Sequence, residues 1–168
     1  QSNWEILLPM IDRMDFNVGG IYRHINNPYI NKLILNQRKK SIASNDSFYT
    51  PKGKKSAKDI LDGIKKNSSI VLLIDQKDSA GEDVVFFNSV TKTQTGFLKI
   101  AKKHKMQIIP VQNTRNNLNN FTLKFYPPLK PFKNHLTDKQ AMEEIHKIIE
   151  EWIKENPSHY FLQHNRFS

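Results

Sequence analysis

The chain has 168 residues, a length for one domain with one core, and no cysteine, which excludes disulfides, thiolate nucleophiles and cysteine-based zinc sites. Apolar residues make up 38% of it, low for a globular domain but above the disordered range. Lys and Arg number 26 against 16 Asp and Glu, and the resulting charge of +10 attracts polyanions: nucleic acid, anionic lipid or an acidic protein.

In chain order, Asn3–Met14 predicts a helix. Ile6, Leu7, Met10, Ile11 and Met14 recur at helical spacing, Asn3 is a candidate cap, and Pro9 implies a short or kinked element. Phe16–Arg23 predicts a strand in which Gly19 and Gly20 admit close backbone approach. Asn27-Pro28 opens a second helix, with Tyr29, Ile30, Leu33 and Ile34 expected to face inward and Arg38, Lys39 and Lys40 at its carboxyl end. Ser47–Ser56 reads as a loop, and Ser56–Lys66 as a helix capped by Ser56 with Asp59 in its first turn. Ser68–Gln76 reads as a buried strand that exits at Asp75. Its apolar run, Ile70–Ile74, is the longest in the chain and is strand-sized, too short to span a bilayer. Val84–Phe87 predicts a short strand, Thr93–Lys105 a helix with a basic outer face, and Met106–Gln112 and Phe121–Leu129 two strands joined by a polar turn. The last helix is the strongest: Thr137 and Gln140 form a capping box, Met142, Ile145, Ile148, Ile149, Trp152 and Ile153 form its stripe, and Asn156-Pro157 stops it. Helices alternating with short strands predict an α/β domain over residues 1–168, a central mixed sheet flanked by helices on both faces.

Few residues announce chemistry. Glu5 in a first helical turn complements the helix dipole, and on position alone that ordinary role is the better reading. Asp75 stands at the carboxyl end of a strand, where α/β sheets place ligands and where any strand meets its first polar residue. Arg23 and Arg38 read alone as solvated cations. The histidines at 24, 104, 135, 146, 159 and 164 have no metal-ligand spacing and read as surface. No Gly-rich phosphate loop and no G-x-S-x-G elbow is present.

Taken in order, Ser2-Asn3-Trp4-Glu5, Tyr22-Arg23 through Asn27-Pro28, Arg38, Leu72–Gln76, Gly81 with Val84–Phe87, Thr93–Ala101, Ile108–Val111 and Pro157–Phe167 form a colinear series. The series resembles the lipid A biosynthesis lauroyl/myristoyl acyltransferases, within the lysophospholipid-acyltransferase-like superfamily. The resemblance covers essentially the whole chain and implies a glycerolipid-acyltransferase-like fold. The family's hallmark is a His, four intervening residues and an acid, commonly H-x-G-N-W-E. Ser2–Glu5 match its last four positions with Ser for Gly, so the His falls on the residue before Gln1. The resemblance therefore implies an amino-terminally truncated member, inactive without that His and expecting a membrane anchor upstream.

It further implies that the His deprotonates an acceptor hydroxyl while Glu5 fixes its tautomer, that Arg38 stabilises the oxyanion, and that Asp75 positions Arg38 or accepts from the acceptor sugar. Asn3, Trp4, Arg23, Asn27, Gln76, Gly81, Phe86 and Phe87 are implied substrate contacts, with Trp4, Phe86 and Phe87 lining an acyl-chain cleft. Two departures put loop geometry in question: Asn88 stands where the family has Gly, and Asn165-Arg166 where it has an Arg pair. The reaction implied is transfer of a fatty acyl chain from an acyl carrier thioester, a co-substrate, to a lipid A precursor, with no cofactor and no metal. Expected partners are acyl carrier protein, the lipid A precursor and the anionic inner-membrane surface on its cytoplasmic side, with the basic stretches Lys52–Lys58 and Lys99–Lys105 facing them, and no specific nucleic acid. The alternatives are a non-catalytic basic module that binds nucleic acid or anionic membrane, and an acyltransferase for another glycolipid or a lysophospholipid.

Overall fold

The computed structural model describes residues 3–116, 120–129 and 136–160. Ser2, His135, His164 and Asn165-Arg166 lie outside them. The fold is α/β, with parallel and antiparallel strands. The chain divides into two compact units, one of Trp4–Leu72 and one that joins Asn3 to the residues from Leu73 onward.

The first unit is built on a parallel three-stranded sheet in the order β2-β1-β3, with β1 at Val18–Tyr22, β2 at Phe48–Pro51 and β3 at Ser69–Val71. Helix α2 (Pro28–Ser41) joins β1 to β2, and α3 (Lys54–Lys65) joins β2 to β3. The two glycines of β1 explain how helices cover both faces. Adjacent strand residues point to opposite sides. A Cβ on Gly20 would stand 2.9 Å from the Leu8 side chain of α1 (Leu7–Asp12). A Cβ on Gly19 would stand 2.3 Å from the Phe48 ring, which also lies against Gly63 of α3. Both faces thus need a bare backbone on the central strand.

Several expectations are corrected in this unit. Asn3 does not cap α1, which is preceded by a 3₁₀ turn over Trp4–Ile6. The expected loop contains β2, because Phe48-Tyr49-Thr50 supplies side chains that suit a pleated surface. Helix α3 starts at Lys54, so Ser56 is its third residue. From there its hydroxyl accepts from the Gly53 amide at 3.3 Å and donates to the Gly53 carbonyl at 2.6 Å. Asp59 accepts from the Thr50 hydroxyl at 2.6 Å. The buried strand expected over Ser68–Gln76 shortens to the partly exposed Ser69–Val71.

Helix α2 departs furthest from expectation. Asn27 caps it as expected, accepting from the amides of Tyr29 and Ile30 at 3.0 and 3.2 Å. None of its residues is buried, however, and Tyr29, Ile30 and Leu33 point outward. Its shielded stripe is Asn31, Ile34, Leu35, Arg38 and Ser41. Its carboxyl end is pinned by Asp12, whose buried carboxylate accepts from the amides of Ala43 and Ser44 and from the Ser47 hydroxyl.

The second unit packs α4 (Gly96–Lys103) and α5 (Asp138–Glu155) with two antiparallel hairpins, β4 (Glu82–Phe86) with β5 (Ser89–Thr93), and β6 (Val111–Arg115) with β7 (Phe121–Phe125). The capping box of Thr137 and Gln140 forms as expected. The core joins Val84 and Phe86 of β4, Leu98 of α4, and Ala141, Met142, Ile145 and Ile149 of α5. His146 is no surface residue. It is fully buried against Phe86, and its Nδ1–H donates to the Val85 carbonyl at 2.7 Å, tying α5 to β4.

Candidate active site

The site builds from two short elements of the first unit. The 3₁₀ turn presents Trp4 and Glu5, and the last turn of α2 presents Arg38. Arg38 Nε donates to Glu5 Oε2 at 2.9 Å and Nη2 to Oε1 at 2.5 Å, a two-pronged pair that fixes the guanidinium plane. The Trp4 ring lies 4.8 Å and the Tyr22 ring 5.5 Å from the guanidinium carbon, both in range for a cation over an aromatic face. The Arg38 side chain is 10% exposed and that of Glu5 50%. The cation is therefore held in place, while its anion stays open to solvent on one side. Tyr49 of β2 completes the surroundings. Burial and the nearby Glu5 charge push its phenol above the usual value, against the Ser41 hydrogen bond and Arg38.

Geometry limits what this pair can do. Each carboxylate oxygen has a second lone pair, so Glu5 can hold Arg38 and still accept from another N–H. Arg38 has Nη1 outside the pair. The arrangement offers a fixed positive charge beside an accessible carboxylate, a setting that stabilises negative charge developing nearby.

The family model for bacterial lipid A biosynthesis acyltransferases matches residues 1–168, the whole chain. The chain belongs to that family. A search of curated proteins found no match. For a lipid A biosynthesis acyltransferase, the Glu5–Arg38 pair sits on residues that carried the resemblance in sequence. Two of its neighbours were not expected. Tyr22 was legible in principle: it is two residues after Gly20 on β1, so it shares the strand face that meets α1. Tyr49 lies in the strand read as a loop, so its sequence carried no such signal.

The other expected site residues of the acyltransferase divide between the two units. Arg23 is exposed, just past β1. Asn27 is engaged as the cap of α2. The Asn3 carbonyl accepts from Asn113 Nδ2 at 2.8 Å within the second unit. Asp75 and Gln76 also belong to that unit, in a bend after β3, with Asp75 partly exposed and Gln76 exposed.

Gly81 has a structural reason of its own. A Cβ there would stand 2.2 Å from the Thr93 carbonyl oxygen, so the position needs a bare backbone against β5. Phe86, expected at an acyl-chain surface, is fully buried in the core because strand alternation turns it inward beside Val84. Phe87 and Asn88 form the two-residue turn between β4 and β5, with φ of 48° and 59°. Such a turn demands positive φ at both central positions, and Asn tolerates that conformation better than any residue but Gly. Asn88 thus meets the backbone demand at the place where the family has Gly. The Phe87 amide is secured by Glu150, which accepts from it at 2.7 Å.

Among the described residues no helix is long and apolar enough to cross a membrane, and no cluster of three His, Asp or Glu could hold a metal ion.

Proposed function

We propose that this acyltransferase moves a fatty acyl chain from an acyl carrier thioester to a hydroxyl of a lipid A precursor at the cytoplasmic face of the inner membrane. The observation that carries the reading is the Glu5–Arg38 pair clamped between Trp4 and Tyr22, in a chain matched along its whole length by that family.

The base in this scheme is an imidazole on the residue before Gln1, assigned by resemblance. It takes the proton of the acceptor hydroxyl as the oxygen attacks the thioester carbonyl. A tetrahedral oxyanion forms and collapses, the carbon–sulfur bond breaks, and the imidazolium returns its proton to the departing thiolate. Glu5 accepts the imidazole N–H and sets its tautomer with the lone pairs that Arg38 leaves. Arg38 supplies fixed positive charge toward the oxyanion. Asp75 enters by resemblance alone, as an acceptor for the sugar or a support for Arg38. No covalent enzyme intermediate is needed, consistent with a chain that lacks cysteine.

The test is an acyl-transfer assay with a radiolabelled lipid A precursor and acyl carrier thioester, read by thin-layer separation, on protein carrying His before Gln1. Glu5→Gln and Arg38→Lys should each lower turnover by about 10²–10³ with the fold intact. Wild-type turnover in both variants would refute the assignment.

A further inference from the structure

Helix α2 shields a mixed stripe and leaves apolar side chains outside. The stripe it shields sets Asn31, Arg38 and Ser41 beside Ile34 and Leu35, whereas Tyr29, Ile30 and Leu33 are 85%, 47% and 61% exposed. The reason is Arg38. It must face Glu5, and Leu33, five residues earlier, is then carried about 140° around the helix. Lys32, Lys39 and Lys40 are also exposed, and α2 contains no acidic residue. A large aromatic and two aliphatic side chains thus stand exposed in the first two turns, with Lys40 on the same side further along and Lys32 and Lys39 beside it, so apolar groups and cations face outward together, as an anionic membrane interface can use them.

We infer that α2 is the membrane-docking element, with Tyr29, Ile30 and Leu33 entering the headgroup–acyl boundary of an anionic bilayer and its lysines on the phosphates. The inference deepens the acyl-transfer reading, on which its choice of a lipid surface rests. It replaces the basic stretches Lys52–Lys58 and Lys99–Lys105 as the principal lipid contact. Charge complementarity favours lipid: each exposed lysine near an anionic surface adds about fivefold to binding, and the apolar trio supplies an insertion that charge alone lacks. One helix would then face lipid with one side and hold Arg38 with the other, bringing the site to a lipid acceptor without lifting that lipid out of the bilayer.

The test needs no turnover, so it is independent of the proposed reaction. The chain has no cysteine, so Leu33→Cys takes a single environment-sensitive fluorophore, and Lys102→Cys on α4 serves as the control. With phosphatidylglycerol-containing vesicles the label at 33 should shift to the blue and be quenched by lipid-borne quenchers, while the label at 102 should not. Tyr29→Ser, Ile30→Ser and Leu33→Ser combined should lower vesicle co-sedimentation by about tenfold or more. Equal responses at 33 and 102, undiminished sedimentation of the triple variant, or no binding to anionic vesicles would overturn the inference. So would a blue shift at 33 that grows with protein concentration in the absence of lipid, which would mean that a second copy covers the face. Turnover of detergent-dispersed acceptor, measured in parallel, reports on the acyl-transfer reading separately.

Discussion

Arg38 shows how much of this site depends on neighbours rather than on the charged pair. A guanidinium that meets a half-exposed carboxylate in water gains little, because solvent screens the pair and two long side chains lose freedom. The flanking Trp4 and Tyr22 rings change that by restricting the guanidinium before any substrate arrives. Tyr22→Leu keeps an apolar side chain at the end of β1 but removes one face of the clamp. Turnover should fall about tenfold, mostly in kcat, with Glu5 and Arg38 untouched; steady-state kinetics at saturating donor reads this directly. Asp12 is the other residue whose surroundings decide its behaviour. Burial pushes its carboxyl upward, but hydrogen bonds from Ser47, Ala43 and Ser44, with Arg13 nearby, outweigh this and hold it below the usual carboxylate value. A depressed value in the fold stabilises the protein at any pH above the unfolded value, near ~3.9, and that contribution is lost as pH falls through the folded value. Asp12→Asn should therefore cost about 1–3 kcal/mol at neutral pH, because an NH2 group replaces one of the two oxygens that together accept from two amides and a hydroxyl. It should also flatten the acid limb of stability below about pH 4, as urea midpoints measured across pH will show.

At the scale of elements, the helices with strong periodicity and caps were legible. Helix α5 forms between the capping box and the Pro stop that its sequence announces, and β1 carries the bare backbone that Gly19-Gly20 implies. The strands were read less well. β2 is four residues long and β3 three, too short for any alternation to emerge, and the apolar run beyond Val71 continues without strand pairing. In helix α2 Ile34 lies on the shielded side as expected but Tyr29, Ile30 and Leu33 do not, because periodicity identifies an apolar stripe but not what covers it, and here an ion pair fixes the rotation. The buried His146 was missed for a related reason: its Nδ1–H finds a carbonyl on β4, 61 residues away in sequence. The site residues Glu5 and Arg38 were reached through the order of motifs along the chain, since position alone gave Glu5 an ordinary role at a helix end. The β4–β5 hairpin offers a sharp test of turn chemistry. Asn88→Ala keeps every strand pair but puts a Cβ-bearing residue without Asn's tolerance at φ 59°, and should cost about 1 kcal/mol; Asn88→Gly should be neutral or stabilising. Gly81→Ala should be far worse, by about 3 kcal/mol or more, because the atom it meets is a backbone carbonyl that cannot rotate away. Thermal unfolding of the three variants ranks them.

For the molecule as a whole, the proposed reaction turns on the residue before Gln1, to which the resemblance assigns the base. Glu5 does not take over that role: both of its oxygens are already engaged by Arg38, which holds the carboxylate as an acceptor. Two chains that differ only there, His in one and Ala in the other, isolate the contribution of the imidazole. Both should fold alike, which circular dichroism and thermal unfolding of the two chains will check. The His chain should transfer acyl groups faster by about 10²–10⁴, the usual worth of a positioned general base. Its kcat/KM should rise with pH through a single ionisation in the histidine range, since only neutral imidazole accepts the proton, and the Ala chain should lack that ionisation. Adding Glu5→Gln to the His chain should abolish most of the gain, whereas adding it to the Ala chain should change less, because there it reaches the reaction only through Arg38, which Trp4 and Tyr22 still restrict. A large effect of Glu5→Gln in the Ala chain would move Glu5 from supporting the base to supporting Arg38, and the two carboxylate roles are separated by that single comparison.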